Sequence, residues 1–400
     1  MKNDLTVNEA LNLATEYDKQ NKLHDAINIY NDLLKMYPDH KDLHFNLGVL
    51  FQKLIEPQKA INCFEKVIKL DPNFVIAYQN LGLIFHQLGK YNEAKNYFEK
   101  IIQIEPNNVD GNYNLGVQFI KLKEYSKASL YFEKVIELNP SSESSLNNLG
   151  SIFKKLGNVD KSIYFYEKTI KLDPTNYNAH SNLGLVYKDL KKYNKSLYFY
   201  KKAVELEPNL TAAHYNIGLI FNVLREYSKA ISSYKKALET TGTLITNSLK
   251  RNMIEKNITK DYLHDDIYNN LGVSYSLINE IQKSKEYYEK TIKIKPNHTI
   301  ALNNLGILHH HTGDFLKALN CFHKIIEFDP NNTDLLNNLT DLFSNFKINF
   351  NQNNNKQLFK KIFLFLFNNN NIYHKHISRS VILFLLETGN YKQIKNIFNS

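Results

Sequence analysis

The chain has 400 residues, 43% of them hydrophobic, which is enough apolar material for a large folded body. Charged residues make up 22% and the net charge is +10, which excludes a disordered polyelectrolyte and favours acidic partners or nucleic acid. Two cysteines, Cys63 and Cys321, lie too far apart in sequence for a disulfide framework or a cysteine metal cluster, and they fit a reducing, cytoplasmic setting.

Residues 1–20 are polar and hold no apolar signal core. The longest apolar runs, 362–367 and 381–386, are far shorter than the roughly 20 residues of a spanning helix, so no membrane association is expected. Tryptophan is absent, and the abundance of Asn, Lys, Ile, Tyr and Phe reads as genome composition rather than chemistry.

From residue 7 onward the sequence repeats. Pro38, Pro72, Pro106, Pro140, Pro174 and Pro208 stand 34 residues apart, as do Pro296 and Pro330. Gly48, Gly82, Gly116, Gly150, Gly184 and Gly218 keep the same step, and Gly272 and Gly306 resume it. Twelve residues beyond each glycine lies Ala or Ser, and four further on an aromatic ring: Phe64, Phe98, Phe132, Tyr166, Tyr200, Tyr234, Tyr288 and Phe322. This spacing predicts two helices per unit, crossing closely at glycine and Ala/Ser, with the ring filling the gap beside them.

In the unit 75–108, Leu81, Ile84, Phe85 and Leu88 mark one face of a first helix. Tyr91, Ala94, Phe98, Ile101 and Ile102 mark its partner. Gly89 between them suits a helix end with positive φ, and Pro106 stops the second helix because it lacks a backbone N–H.

Nine units are expected: seven over 7–244 and two over 265–332. The first has Ala14 in place of glycine, and the seventh has Gly242 in place of proline. Residues 245–264 read as an insertion, where Ile245, Leu249, Met253 and Ile258 favour a short extra helix over a loop. Residues 333–400 are divergent. Leu336, Leu339 and Phe343 resemble the first helix of a tenth unit, and Leu358 to Phe367 reads as a buried helix between asparagine-rich loops. A terminal cap covering the last apolar face is the expected role, with a chain cut short of a further domain as the alternative.

The pattern resembles the tetratricopeptide repeat family, whose period is 34, over roughly residues 7–332. The family's common tryptophan is replaced throughout. The resemblance implies an all-α fold: an elongated, right-handed superhelical solenoid of antiparallel helix pairs, about nine repeats with a divergent C-terminal cap.

No catalytic or cofactor signature is found. The nearest approach to a phosphate loop, Gly82 through Gly89-Lys90, has the wrong spacing and glycines that the repeat explains. His309, His310 and His311 point in different directions on a helix, so a core imidazole with two surface histidines is expected rather than a metal site. No enzyme activity, cofactor or metal is expected.

The family resemblance further implies that the first helices line a concave, partner-binding groove. One polar residue recurs there: Asn46, Asn80, Asn114, Asn148, Asn182, Asn216, Asn270 and Asn304. Each precedes the inward leucine, so each is expected to face solvent. The units are similar to the repeats of O-GlcNAc transferases, in which an asparagine ladder holds a peptide backbone. No segment here matches that enzyme's catalytic region. A consensus habit without a binding role is the other reading of the ladder.

Lys53, Lys121, Lys154, Lys155 and Lys188 reach the groove edge by spacing and suggest a weakly basic middle section, or else solvated helix ends. The carboxylate clamp of cochaperone repeats is not matched, since Leu11, Asp42 and Ile76 stand at the corresponding positions. The expected function is a non-catalytic protein-interaction scaffold that binds extended, acidic or neutral peptide segments of other proteins. The alternatives are a targeting module for a separate glycosyltransferase-like enzyme, and a basic solenoid binding RNA. Nucleic acid is disfavoured because acidic residues are interspersed with the basic ones.

Overall fold

A computed structural model describes residues 7–250 and 262–329, with scattered positions between 332 and 362. All regular structure among the described residues is helical. The chain divides into two compact units, Met1–Lys191 and Lys192–Ser400.

The first unit holds α1 (Val7–Lys19), α2 (Leu23–Met36), α3 (Lys41–Lys53), α4 (Pro57–Leu70), α5 (Val75–Gln87), α6 (Tyr91–Ile104), α7 (Val109–Lys121), α8 (Tyr125–Leu138), α9 (Glu143–Lys155), α10 (Val159–Leu172) and α11 (Tyr177–Asp189). The second holds α12 (Tyr193–Leu206), α13 (Thr211–Val223), α14 (Tyr227–Lys250), α15 (Tyr262–Leu277), α16 (Ile281–Ile294), α17 (Thr299–His311) and α18 (Phe315–Phe328). Within each unit every helix packs on the one before it and the one after, which is the layout of a stacked repeat.

The seam between paired helices is set by the glycine–aromatic spacing. A Cβ built on Gly48, Gly82, Gly116, Gly150, Gly218, Gly272 or Gly306 would meet the ring sixteen residues later at 2.5 to 2.9 Å. No real side chain tolerates that distance, so only glycine lets the ring lie flat against the backbone. The rings are sealed in: Phe64, Phe98, Phe132, Tyr234 and Phe322 have no exposed surface. Where the small residue is serine, it adds a bond. Ser162 Oγ donates to the Gly150 carbonyl at 2.7 Å, and Ser284 Oγ to that of Gly272 at 2.8 Å.

First helices end in a tight reversal. At Gly89, φ is +72°, and the next amide, Lys90 N–H, reaches back to Phe85 O at 2.9 Å. Leu88, expected on the buried face, is the helix cap and is 45% exposed. Ile55 takes the same left-handed conformation with φ +58° and is 86% exposed. A β-branched residue there gives up about 1–2 kcal/mol that glycine would not.

Second helices stop where proline follows: α4 ends at Leu70, two residues before Pro72. The seventh unit has Gly242 instead. Its second helix, α14, runs through that position for 24 residues, against 14 in its counterparts. Residues 245–250 therefore continue α14, where a separate short helix was expected. Residues 251–261 lie outside the described residues.

The apolar core continues past residue 332: Leu335, Leu339, Leu342, Phe343, Phe359 and Ile362 are buried against Phe315, Leu319 and Phe322. The asparagine-rich stretches and the repeat-like segment near the C-terminus lie outside the described residues.

Candidate peptide-binding face

The leucine of each Asn-Leu-Gly phrase points at the paired helix, and Leu47, Leu81, Leu115, Leu149, Leu183, Leu271 and Leu305 are buried. One residue earlier is a rotation of about 100° around the helix, which turns the asparagines to its edge. Asn46, Asn80, Asn114, Asn148, Asn182, Asn216, Asn270 and Asn304 are all half-buried, not solvent-facing as expected. The cause is the neighbouring first helix: α9 touches α11, and α15 touches both α13 and α17.

The amides bridge that contact by a simple rule. Where a bridge forms, the amide donates to the side chain one position before the asparagine of the preceding repeat. Asn148 Nδ2 reaches the Tyr113 hydroxyl at 3.5 Å, and Asn182 Nδ2 reaches Asn147 Oδ1 at 3.3 Å. Asn270 Nδ2 donates to the Tyr215 hydroxyl at 3.1 Å, and Asn338 Nδ2 to Asn303 Oδ1 at 2.7 Å. For Asn80 the corresponding position is Phe45, which has no acceptor, and the amide turns back to its own helix at Ile76 O, 2.8 Å away. Asn216 Nδ2 also donates to a carbonyl of its own helix, Ala212 O, at 2.8 Å. A primary amide has two N–H donors and a carbonyl, so one such bond leaves binding capacity in the side chain.

The lysines are less available than their spacing suggests. Lys53 Nζ sits 2.6 Å from Asp18 Oδ1 and 2.7 Å from Oδ2, and Lys154 Nζ sits 2.8 Å from Asp189 Oδ2. Each pair links neighbouring repeats. Lys188 is half-buried, and burial holds its ammonium below the usual lysine range, opposed by Asp189 and reinforced by Lys154. Lys121 and Lys155 are exposed. The expected basic strip is thus partly neutralised within the fold.

His309 is buried with Nδ1 3.2 Å from Asp314 Oδ2, while His310 is half-buried and His311 exposed, as the helix geometry required. Burial pushes the Cys63 and Cys321 thiols up to about 11, so both stay protonated.

Sequence reasoning missed one cluster in the second unit. Asp265 and Asp266 open a first helix, and His298, at the end of the same repeat, folds back beside them, with ligand-type atoms within 4.8 Å of one another. Nearly one full period separates them, so only the closure of the repeat brings them together. His298 Nδ1 accepts the Ala301 N–H at 3.1 Å and caps α17. The ring proton therefore sits on Nε2, 3.9 Å from Asp266 Oδ1. That proton occupies the lone pair a metal would need, so these residues do not fit a metal ion as they stand.

Profiles described as tetratricopeptide repeat match residues 11–54, 75–108, 109–142, 177–210, 211–241, 265–298 and 299–332, and one described as TPR repeat matches 58–89 and 150–191. A search of curated proteins gives no match. Among solved structures, MamA is 28% identical over 40% of this chain and 95% of its own, with a TM-score of 0.39. YrrB, a TPR protein with an unusual peptide-binding site, is 24% identical over 46% of this chain and 95% of its own, at 0.42. PilF of Pseudomonas aeruginosa is 18% identical over 57% of this chain and 94% of its own, at 0.47. Among the described residues no helix is long and apolar enough to cross a membrane. Matched over well over half its length, the chain belongs to the tetratricopeptide repeat family, a family of protein-interaction scaffolds.

Proposed function

We propose that the face built by the first helices binds an extended peptide segment of a partner protein, and that the asparagines hold its backbone. One observation carries the reading: a half-buried amide recurs at the same position of successive repeats, with hydrogen-bonding capacity beyond the bond it makes to its neighbour. An amide pairs with a peptide C=O and N–H alike, so contacts of this kind grip a backbone whatever its side chains. The pairing of Lys53 with Asp18 and of Lys154 with Asp189 removes charge that phosphate binding would use, which favours a peptide over nucleic acid. Two thiols kept protonated by burial fit a reducing, cytoplasmic setting.

The test is a variant with Asn80, Asn114, Asn148 and Asn182 all changed to Ala, measured against peptides selected on the unaltered chain. At about 1 kcal/mol per hydrogen bond, four losses weaken binding by about 4 kcal/mol, or roughly a thousandfold. Thermal melting moves far less, because each bridge between repeats is single and partly exposed. Unchanged affinity at near-normal melting assigns the ladder to repeat architecture alone.

A further inference from the structure

The ladder has an open rung. Asn182 donates to Asn147 Oδ1, and Asn338 donates to Asn303 Oδ1. Asn269 holds the same position in its repeat as Asn147 and Asn303, and Asn304 stands where Asn182 and Asn338 do. Yet Asn269 Oδ1 is buried and accepts no hydrogen bond. One helical turn earlier, Asp265 is 1% exposed, and its Oδ1 is also buried without a partner. Asn269 lies one helical turn from both Asp265 and Asp266, whose carboxylate oxygens approach to within 4.8 Å of each other.

The donors already present do not satisfy this group. Lys295 Nζ reaches only Asp265 Oδ2, at 3.3 Å. His298 Nδ1 accepts the Ala301 amide, and its Nε2 is 3.9 Å from Asp266 Oδ1, too far for a hydrogen bond. Two carboxylates against one ammonium leave a local charge of about −1 in a chain whose net charge is +10. The Tyr215 hydroxyl, from the preceding repeat, closes another side. Burial, helped by the two nearby carboxylates, pushes it up to about 12, so it keeps its proton. Asp266 is 55% exposed, whereas Asp265 Oδ1 and Asn269 Oδ1 are buried.

Buried acceptors with no donor, beside an exposed carboxylate, ask for a ligand rich in N–H groups. A planar guanidinium spans two acceptors at once in a way a single ammonium does not. We infer that this open rung receives a basic side chain, arginine by preference, from the extended partner segment. The inference rests on the peptide-binding reading of the first-helix face. It replaces the acidic or neutral ligand suggested by net charge with one that is basic at this position.

The experiment uses the full chain and an array of extended nonapeptides. The central residue is arginine, lysine, glutamine or glutamate in turn, and the flanking positions are mixed. The unaltered protein should favour central arginine over glutamine by about tenfold, as a charge-assisted bond provides. Asp266→Asn and Asn269→Leu should each erase most of that preference while glutamine peptides bind as before. Melting curves confirm that both variants fold, and Asp266 is exposed enough for its change to be benign.

A chain that binds the array with no preference for the basic centre overturns the inference and leaves the peptide face standing. So does a preference that survives in both variants. A chain that binds no peptide overturns the peptide face, and the inference with it. Zinc titrated alone, binding to the unaltered protein and lost in Asp266→Asn, would assign the cluster to a metal and overturn the inference as well.

Discussion

The seam inside each repeat and the face between repeats follow different rules. At the seam, glycine, small residue and ring recur in every unit after the first, where Ala14 replaces the glycine, and a Cβ on Gly48, Gly82, Gly116, Gly150, Gly218, Gly272 or Gly306 would clash with the ring of its unit. On the first-helix face the asparagine recurs, but its partner changes. It is the Tyr113 hydroxyl for Asn148, an amide for Asn182 and the helix's own carbonyl for Asn80, while the acceptor of Asn269 is left open. A close-packed contact admits one shape. A half-exposed contact only asks that polar groups find some partner, and water serves as well as a side chain. The seam therefore constrains residue size tightly, and the face leaves room for recognition.

Three substitutions sharpen that contrast, beginning with the largest. Gly150→Leu drives a branched side chain into the Tyr166 ring, where even a Cβ would lie 2.6 Å from Cε1. Overpacking of this kind costs about 1–3 kcal/mol, and more when neither partner can move. Because repeats couple to their neighbours, hydrogen exchange should rise first across 109–189, and unchanged protection there would dissolve the distinction. Ser162→Ala removes the hydroxyl bond to the Gly150 carbonyl but keeps the seam's shape. About 1 kcal/mol of stability should go, read as a lower midpoint in urea with an unchanged slope. Asn182→Ala, on the open face, should cost about 0.5 kcal/mol or less, since water replaces a 3.3 Å bond. A loss as large as that from Gly150→Leu would make the ladder structural and undo the comparison.

Much of the fold was legible because its signals are steric and periodic. Gly89 has the positive φ its position required, and Pro106 stops α6 where the missing N–H said it would. His309 is the core imidazole of its triplet. Leu88 was misread because helical periodicity does not show where a helix ends, and the reversal at Gly89 leaves it as a cap. The length of α14 was hidden for a related reason. Gly242 stands where other units have proline, but a glycine still carries the N–H that proline lacks, so the helix passes through it.

The candidate site was legible only in part. The recurrence of asparagine located the face, but the direction of each amide depends on which side chain the preceding repeat offers. The pairing of Lys53 with Asp18 and the grouping of Asp265, Asp266 and His298 left no sequence signal, because each joins residues about one period apart.

The sequence by itself determined the helix pairs, their period and the seam that locks them, since glycine against a buried ring is a matter of volume and follows from spacing alone. Only the tertiary structure decided which polar groups on the first-helix face are spent and which stay open. Hydrogen bonds and ion pairs between repeats depend on distances of a few tenths of an ångström across separate helices, and no local rule carries that precision along the chain.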